Sequence, residues 1–165
     1  MERQVTELDD IECLRRCVAG DRSALRALTD LHGAAVNGTL YQILGDAALA
    51  EDGCVDVFAA VWRDARRFDA SVSVRVWLYR HVVDAARRAP SSTNHDRGLM
   101  STALAFLARS ERSMLVLYYG VGLDVGEVAQ VLRRPKFLVG RDLFGARREL
   151  FEVYRCLTGT GVGAA

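Results

Sequence analysis

The sequence predicts an all-α protein: two small helical domains joined by a short linker, the second containing a helix-turn-helix. Three observations carry this. Half of the 165 residues are hydrophobic, enough for a packed core. Only two prolines occur, Pro90 and Pro135, so long stretches are free of the residue that breaks helix interiors. Apolar residues recur at steps of three and four almost throughout, which is the period of one helix face.

Residues 7–19 place Leu8, Ile11, Leu14 and Val18 on one face, with Gly20 as a stop and Asp21 as a cap for the next helix. The second helix, 22–44, carries Leu25, Leu28, Leu31, Ala35, Leu40, Ile43 and Leu44, weakened at Gly33 and Gly38. Gly45 and Asp46 repeat the stop-and-cap pair. A third helix, 47–67, has Leu49, Val55, Phe58, Val61, Trp62 and Ala65 as its apolar side. The alternating valines of 68–75 resemble a strand, but a lone strand has no partner, so a loop is expected. Residues 75–88 form a fourth helix with Trp77, Leu78, His81, Val82 and Ala85 in register.

Proline, serine, threonine, asparagine and glycine cluster at 89–99, which marks the linker. The domains are therefore 6–88 and 100–157, with 158–165 a disordered tail. The second domain opens with one helix over 101–118, turns at Gly120 and Gly122, and continues as a short helix, 125–132, capped by Asp124. Arg133, Arg134 and Pro135 interrupt it, and a long helix follows over 136–157. Two helices across so short a turn outline a helix-turn-helix, whose second helix enters the DNA major groove. Ala129 is small where the pair must approach closely. Val139 and Leu143 face the first helix, leaving Lys136, Arg141, Arg147 and Arg148 on other faces.

The net charge of +1 hides an uneven distribution. Residues 1–62 hold five arginines against eleven acids, net −6. Residues 63–88 are net +4 and residues 89–165 net +3. An acidic start suits a protein partner and the basic segments suit a phosphate backbone, although ordinary solvated helix faces would look alike. No apolar run approaches a membrane span and no leader pattern opens the chain, so a cytoplasmic protein is expected. The four cysteines, at 13, 17, 54 and 156, then read as reduced thiols. The three histidines lack ligand spacing, so no metal or cofactor is expected. No nucleophile–base pair suggests an enzyme.

Several segments resemble the extracytoplasmic-function (group 4) sigma factors of the sigma-70 family. Gly20-Asp21-Arg22-Ser23-Ala24-Leu25 is similar to that family's opening. Residues 50–62, AEDGCVDVFAAVW, resemble its "AEDLVQETFLRAW", sharing Ala50, Glu51, Asp52, Phe58 and Trp62. Phe68 and Val76-Trp77-Leu78-Tyr79-Arg80 resemble "F…WLYRIA", and Asp84 with Arg87-Arg88 its closing "D..RR". In the second half, Leu104, Leu107, Arg112, Leu115, Leu117, Tyr119, Glu127, Ala129, Leu132, Pro135, Val139, Leu143, Ala146, Arg147 and Leu150 fall on the pattern of the family's second domain.

The resemblance implies a region 2-like domain at 6–88 and a region 4-like domain at 100–157. It also implies a transcription initiation protein that binds core RNA polymerase at the β′ clamp helices and β flap and directs it to promoter DNA in the nucleoid. An anti-sigma factor is a further implied partner. Asp52, Asp56, Phe58 and Trp62 would bind polymerase, with Phe58 and Trp62 equally readable as core. Trp77 and Tyr79 would stack on unpaired −10 bases or pack inside, core packing being favoured for Trp77. Arg80, Arg87 and Arg88 would meet phosphates there. Lys136, Arg141, Arg147 and Arg148 would serve the −35 element. The chain departs from the family in two places. The stretch from Trp77 to Arg88 is about one helical turn shorter. Gly140, Asp142 and Gly145 replace polar or basic residues of the recognition helix, which supports an alternative: a degenerate sigma-like regulator that binds polymerase or another regulator without reading a promoter itself.

Overall fold

A computed structural model describes residues 2–91 and 98–159, with side chains from residue 9 onward. Eight α-helices form, and no strand occurs among the described residues: α1 Glu2–Val18, α2 Arg22–Leu44, α3 Ala47–Asp64, α4 Val74–Arg88, α5 Leu99–Phe106, α6 Arg109–Leu115, α7 Val125–Leu132 and α8 Lys136–Thr158. A 3₁₀ turn, Ala65–Arg67, ends α3, and a π-helical turn, Val116–Gly120, extends α6. Most of the expected linker, 92–97, and most of the expected tail, 160–165, lie outside the described residues. Helix α8 reaches one residue into that tail and stops at Gly159, whose φ of 66° is left-handed.

Side chains set the helix starts. Asp21 accepts from the Ser23 amide at 2.8 Å and from Arg16 Nη2 at 2.7 Å, so the α2 cap also clasps the end of α1. Asp46 accepts from the Leu49 amide and Ser73 from the Val76 amide, both at 3.1 Å. Helix α2 runs unbroken through Gly33 and Gly38 because its Val36, Leu40, Ile43 and Leu44 are buried, and packing outweighs the glycine cost. At its end Gly45 takes φ 68°, where a side chain would be strained. Gly53 of α3 is buried against Leu40 of α2, and a Cβ there would stand 3.2 Å from the Leu40 side chain. The sequence therefore lets α2 and α3 approach closely. His32 Nε2 lies 2.9 Å from Oδ1 of buried Asp10, joining α1 to α2.

The helix expected over 101–118 is broken. Leu107 and Ala108 are extended, with ψ of 153° and 144°. The break is stabilised from the polar side. Arg112 donates to the carbonyls of Leu104 (2.8 Å), Ala105 (3.1 Å) and Leu107 (3.2 Å), while the Glu111 carboxylate accepts from the Ala108 amide at 3.1 Å. Periodicity did not expose this stop because neither glycine nor proline marks it.

The buried residues form one cluster that spans the linker, from Leu14 to Ala146. Helix α4 lies at its centre, packed on α2 and α3 on one side and on α7 on the other. Arg112 Nη1 also reaches the Ile43 carbonyl near the end of α2 at 2.6 Å, and Arg109 donates to the carbonyls of Ala86 (3.0 Å), Ala89 (2.6 Å) and Pro90 (3.0 Å) at the end of α4.

Two stability predictions follow from these caps. Replacing Arg112 by Met orphans partly buried carbonyls, and about 2 kcal/mol or more of unfolding free energy should be lost by urea titration. A loss within the error of the titration would show that the caps are idle. For Asp21, hydrogen bonds from the Ser23 hydroxyl, then Arg16 and the Ser23 amide, hold the carboxyl at about 2, below its ordinary 3.8. A depressed carboxylate stabilises the fold above its unfolded pKa and loses that contribution as pH falls through its folded pKa. The stability gap between the parent and Asp21→Ala should thus be full at neutral pH and shrink between about pH 4 and 2. A gap that ignores pH would exclude the ionised cap.

Candidate functional site

Helix α3 has two unlike faces. Ala50, Gly53, Val57, Phe58, Ala60 and Val61 are buried, whereas Glu51, Asp52, Val55, Asp56 and Ala59 face solvent. Asp52 and Asp56 are one turn apart and carry no ion pair among the described residues. Val55 stands 71% exposed between them. An exposed aliphatic side chain ringed by free carboxylates suits a basic partner helix. Of the four residues assigned to polymerase, Asp52 and Asp56 are on this face. Trp62 is partly buried against the core. Phe58 is only 6% exposed, so its expected place on a partner surface is corrected: it fills the interior beside Leu14, Leu28 and Trp77. Val55, expected on the apolar side of this helix, is instead exposed, one turn from Asp52 and next to Asp56.

Helix α4 is covered on nearly all sides, which corrects its expected role as an open DNA face. Trp77 meets Phe68 edge-on at 5.5 Å and His81 at 4.6 Å, and is 7% exposed. Tyr79 is 6% exposed. Neither side chain is available to stack on a base in this arrangement. Burial pushes the His81 imidazole below its ordinary pKa, and its Nε2 has no partner.

The second half supplies the cover. Arg75 donates to the Val121 carbonyl, and Arg80 Nε to the Gln130 carbonyl at 3.1 Å. Asp84 lies 3.5 Å from Arg87 and 3.6 Å from Arg133. Arg87 and Arg88 remain exposed at the end of α4.

Helices α7 and α8 follow one another across residues 133–135. Asp124 accepts from the amides of Gly126 (2.6 Å) and Glu127 (2.9 Å), and the Glu127 carboxylate accepts in turn from the Asp124 amide at 2.9 Å. Arg133 ends α7 at φ 54°, and Pro135 precedes α8. Val139, Leu143 and Ala146 are buried. Lys136, Arg141, Arg147 and Arg148 are exposed.

Asp142, the unexpected acid of this helix, binds Arg134 and Arg141, and these two guanidinium groups hold its carboxyl below the usual carboxylate range. Arg141 is thereby partly neutralised. Phe137, Phe144 and Phe151 also stand on the surface of α8, at 75%, 71% and 58% exposure, and were not foreseen. Their seven-residue spacing was the available signal.

All four cysteines are free, and burial pushes the Cys13, Cys17 and Cys54 thiols up. No cluster that could hold a metal occurs among the described residues, and none of their helices is long and apolar enough to cross a membrane. The division between core and surface is directly measurable. Phe58→Ala and Trp77→Ala should each cost about 3–5 kcal/mol of stability, whereas Asp52→Ala and Asp56→Ala should stay within about 0.5 kcal/mol. A large loss from either aspartate would show that it has a structural role.

Comparisons with known proteins agree with this geometry. The sigma-70 region 2 family matches residues 28–94, which take in most of α2 and all of α3 and α4. The ECF RNA polymerase sigma factor SigK of Mycolicibacterium vanbaalenii is 33% identical over 95 residues, 54% of this chain and 47% of that protein. SigK of Mycobacterium tuberculosis is 33% identical over 84 residues, 47% of this chain and 45% of its own. The chain thus spans about half the length of these curated relatives. Among solved structures, CnrH in complex with the cytosolic domain of CnrY superposes with a TM-score of 0.75 at 22% identity, covering 90% of this chain and 98% of that one. RpoE from Bartonella quintana, in complex with the anti-sigma factor NepR, gives 0.63 at 15% identity, covering 79% and 96%. These two likenesses establish the shared fold. Over residues 28–94 the chain is thus similar to sigma-70 region 2, and over about half its length to extracytoplasmic-function sigma factors.

Proposed function

We propose that this chain is a non-catalytic transcription initiation protein that binds core RNA polymerase and directs it to promoter DNA in the cytoplasm. The observation that carries the reading is the coincidence of the region 2 match with a packed unit that presents Asp52, Val55 and Asp56 on one helix. In this reading the carboxylates pair with basic residues of the β′ clamp helices around Val55, with Trp62 at the rim. The helix-turn-helix half meets the β flap. Exposed Arg87 and Arg88 take phosphates near the −10 element, joined by Arg80 once α7 moves off α4. Lys136, Arg147 and Arg148 take those near the −35 element. An anti-sigma partner fits the same reading, since the similar RpoE fold was solved with the anti-sigma factor NepR.

Reconstitution with core polymerase tests the reading. Defined transcript starts sharing an upstream motif are expected, and Asp52→Lys with Asp56→Lys should weaken core binding by about tenfold or more. One observation favours a second reading, in which the chain binds polymerase but reads no promoter: Asp142 holds Arg141 and Arg134 away from phosphate. Stable core binding without specific starts would select that reading. A DNA affinity whose salt slope ignores Arg141→Ala plus Arg147→Ala would remove α8 as the reader.

A further inference from the structure

Helix α8 carries an ordered pattern on the side away from the core. Stepping four, three, four, three and four residues from Phe137 gives Arg141, Phe144, Arg148, Phe151 and Arg155. At 3.6 residues per turn these six share one face. Val139, Leu143 and Ala146 lie on the opposite face and are buried. The outer face is thus a stripe of alternating phenylalanine and arginine. Its phenylalanines are all more than half exposed. Within the stripe the Arg155 guanidinium already sits over the Phe151 ring, 5.7 Å from its centroid.

Two properties of the stripe select its occupant. The first is length. Phe137 and Phe151 are separated by four turns, about 21 Å along the axis. A recognition helix places its N-terminal residues in a major groove, so Phe151 lies beyond the reach of base edges. A second helix crossing at a shallow angle meets side chains at seven-residue intervals along its whole length. The second property is charge. The positions alternating with phenylalanine are all cationic; Arg141 is paired with Asp142 and Arg155 lies 3.6 Å from Glu152, which leaves Arg148 as the open charge at the centre of the stripe. Arg148 has no ion pair among the described residues, and Arg147 beside it has none either. A second copy of α8 would bring arginines to the same seam. Carboxylates flanking an apolar stripe complement it.

We propose that the outer face of α8 is a docking surface for an acidic amphipathic helix of a partner protein, seated on Phe137, Phe144 and Phe151 and paired with Arg148 and its neighbours. Binding there does not depend on polymerase. It excludes entry of α8 into a DNA groove, because both would use the same face.

The test uses the full chain and a synthetic helical peptide of three heptads, with leucines along its seam and glutamates beside them, read by fluorescence anisotropy. A second peptide has lysine in place of every glutamate. The acidic peptide should bind about tenfold or more tighter than the lysine peptide. Phe137→Gln with Phe144→Gln should abolish that binding without moving the thermal midpoint, since both side chains are exposed. Arg148→Glu should weaken the acidic peptide and strengthen the lysine peptide. Equal affinity for the two peptides would overturn the proposal. So would concentration-dependent self-association lost in the Phe→Gln variant, which would make the occupant a second copy. Loss of duplex DNA affinity in that variant with peptide binding intact would likewise overturn it, as DNA would then be the ligand.

Discussion

Two guanidinium groups on one short helix join the halves of this molecule. Helix carbonyls at a C-terminal end lack partners within the helix and carry the negative end of its dipole. Arg109 satisfies those of α4, while Arg112 satisfies those of α5 and reaches Ile43 near the end of α2. Both arginines come from α6, so three helix ends converge on a single turn of chain. The position of α6 sets the path of the π-helical turn after it, and that turn delivers α7 onto α4. The cover over α4 and the outward aim of α8 both descend from this junction.

The geometry gives the segment that matches sigma-70 region 2, residues 28–94, two unequal faces. The acidic face of α3 is open. The basic, aromatic side of α4 is closed, its tryptophan and tyrosine inside and two of its arginines tied to the second half. A protein partner therefore has access in this arrangement where a nucleic acid does not. Access to α4 depends on separating α4 from α7. The cost of that separation includes exposing the apolar residues α7 buries, Val128, Val131 and Leu132 among them.

Much of the fold was legible because α2, α3 and α7 declare themselves twice, by apolar period and by cap. Asp21, Asp46 and Asp124 all cap as their positions suggest. The break at Leu107 was not legible, because its stop signal is a guanidinium donating back from the next helix. For the candidate site, the resemblance singled out Asp52 and Asp56 and core packing was favoured for Trp77, but nothing ranked Phe58 or Tyr79. Large aromatics serve cores and interfaces equally well, and only the packing of α4 between both halves decides between them. The phenylalanines of α8 escaped notice for the reverse reason. A phenylalanine on a helix is ordinarily read as core, and three standing outward require the helix to be oriented by its neighbours first.

Arg75, Arg80, Arg109 and Arg112 share one habit: each donates to main-chain oxygen on another part of the molecule. A main-chain acceptor is present whatever side chain its residue carries. Exposed Gln130 is thus free to drift in sequence without removing an acceptor, whereas Ile43 and Ala86 are held by the core they fill. The closure is robust to mutation on its accepting side and fragile on its donating side. Selection on how tightly the halves hold together would then be recorded in four arginine codons, while the residues they grip answer to packing and not to the hydrogen bond.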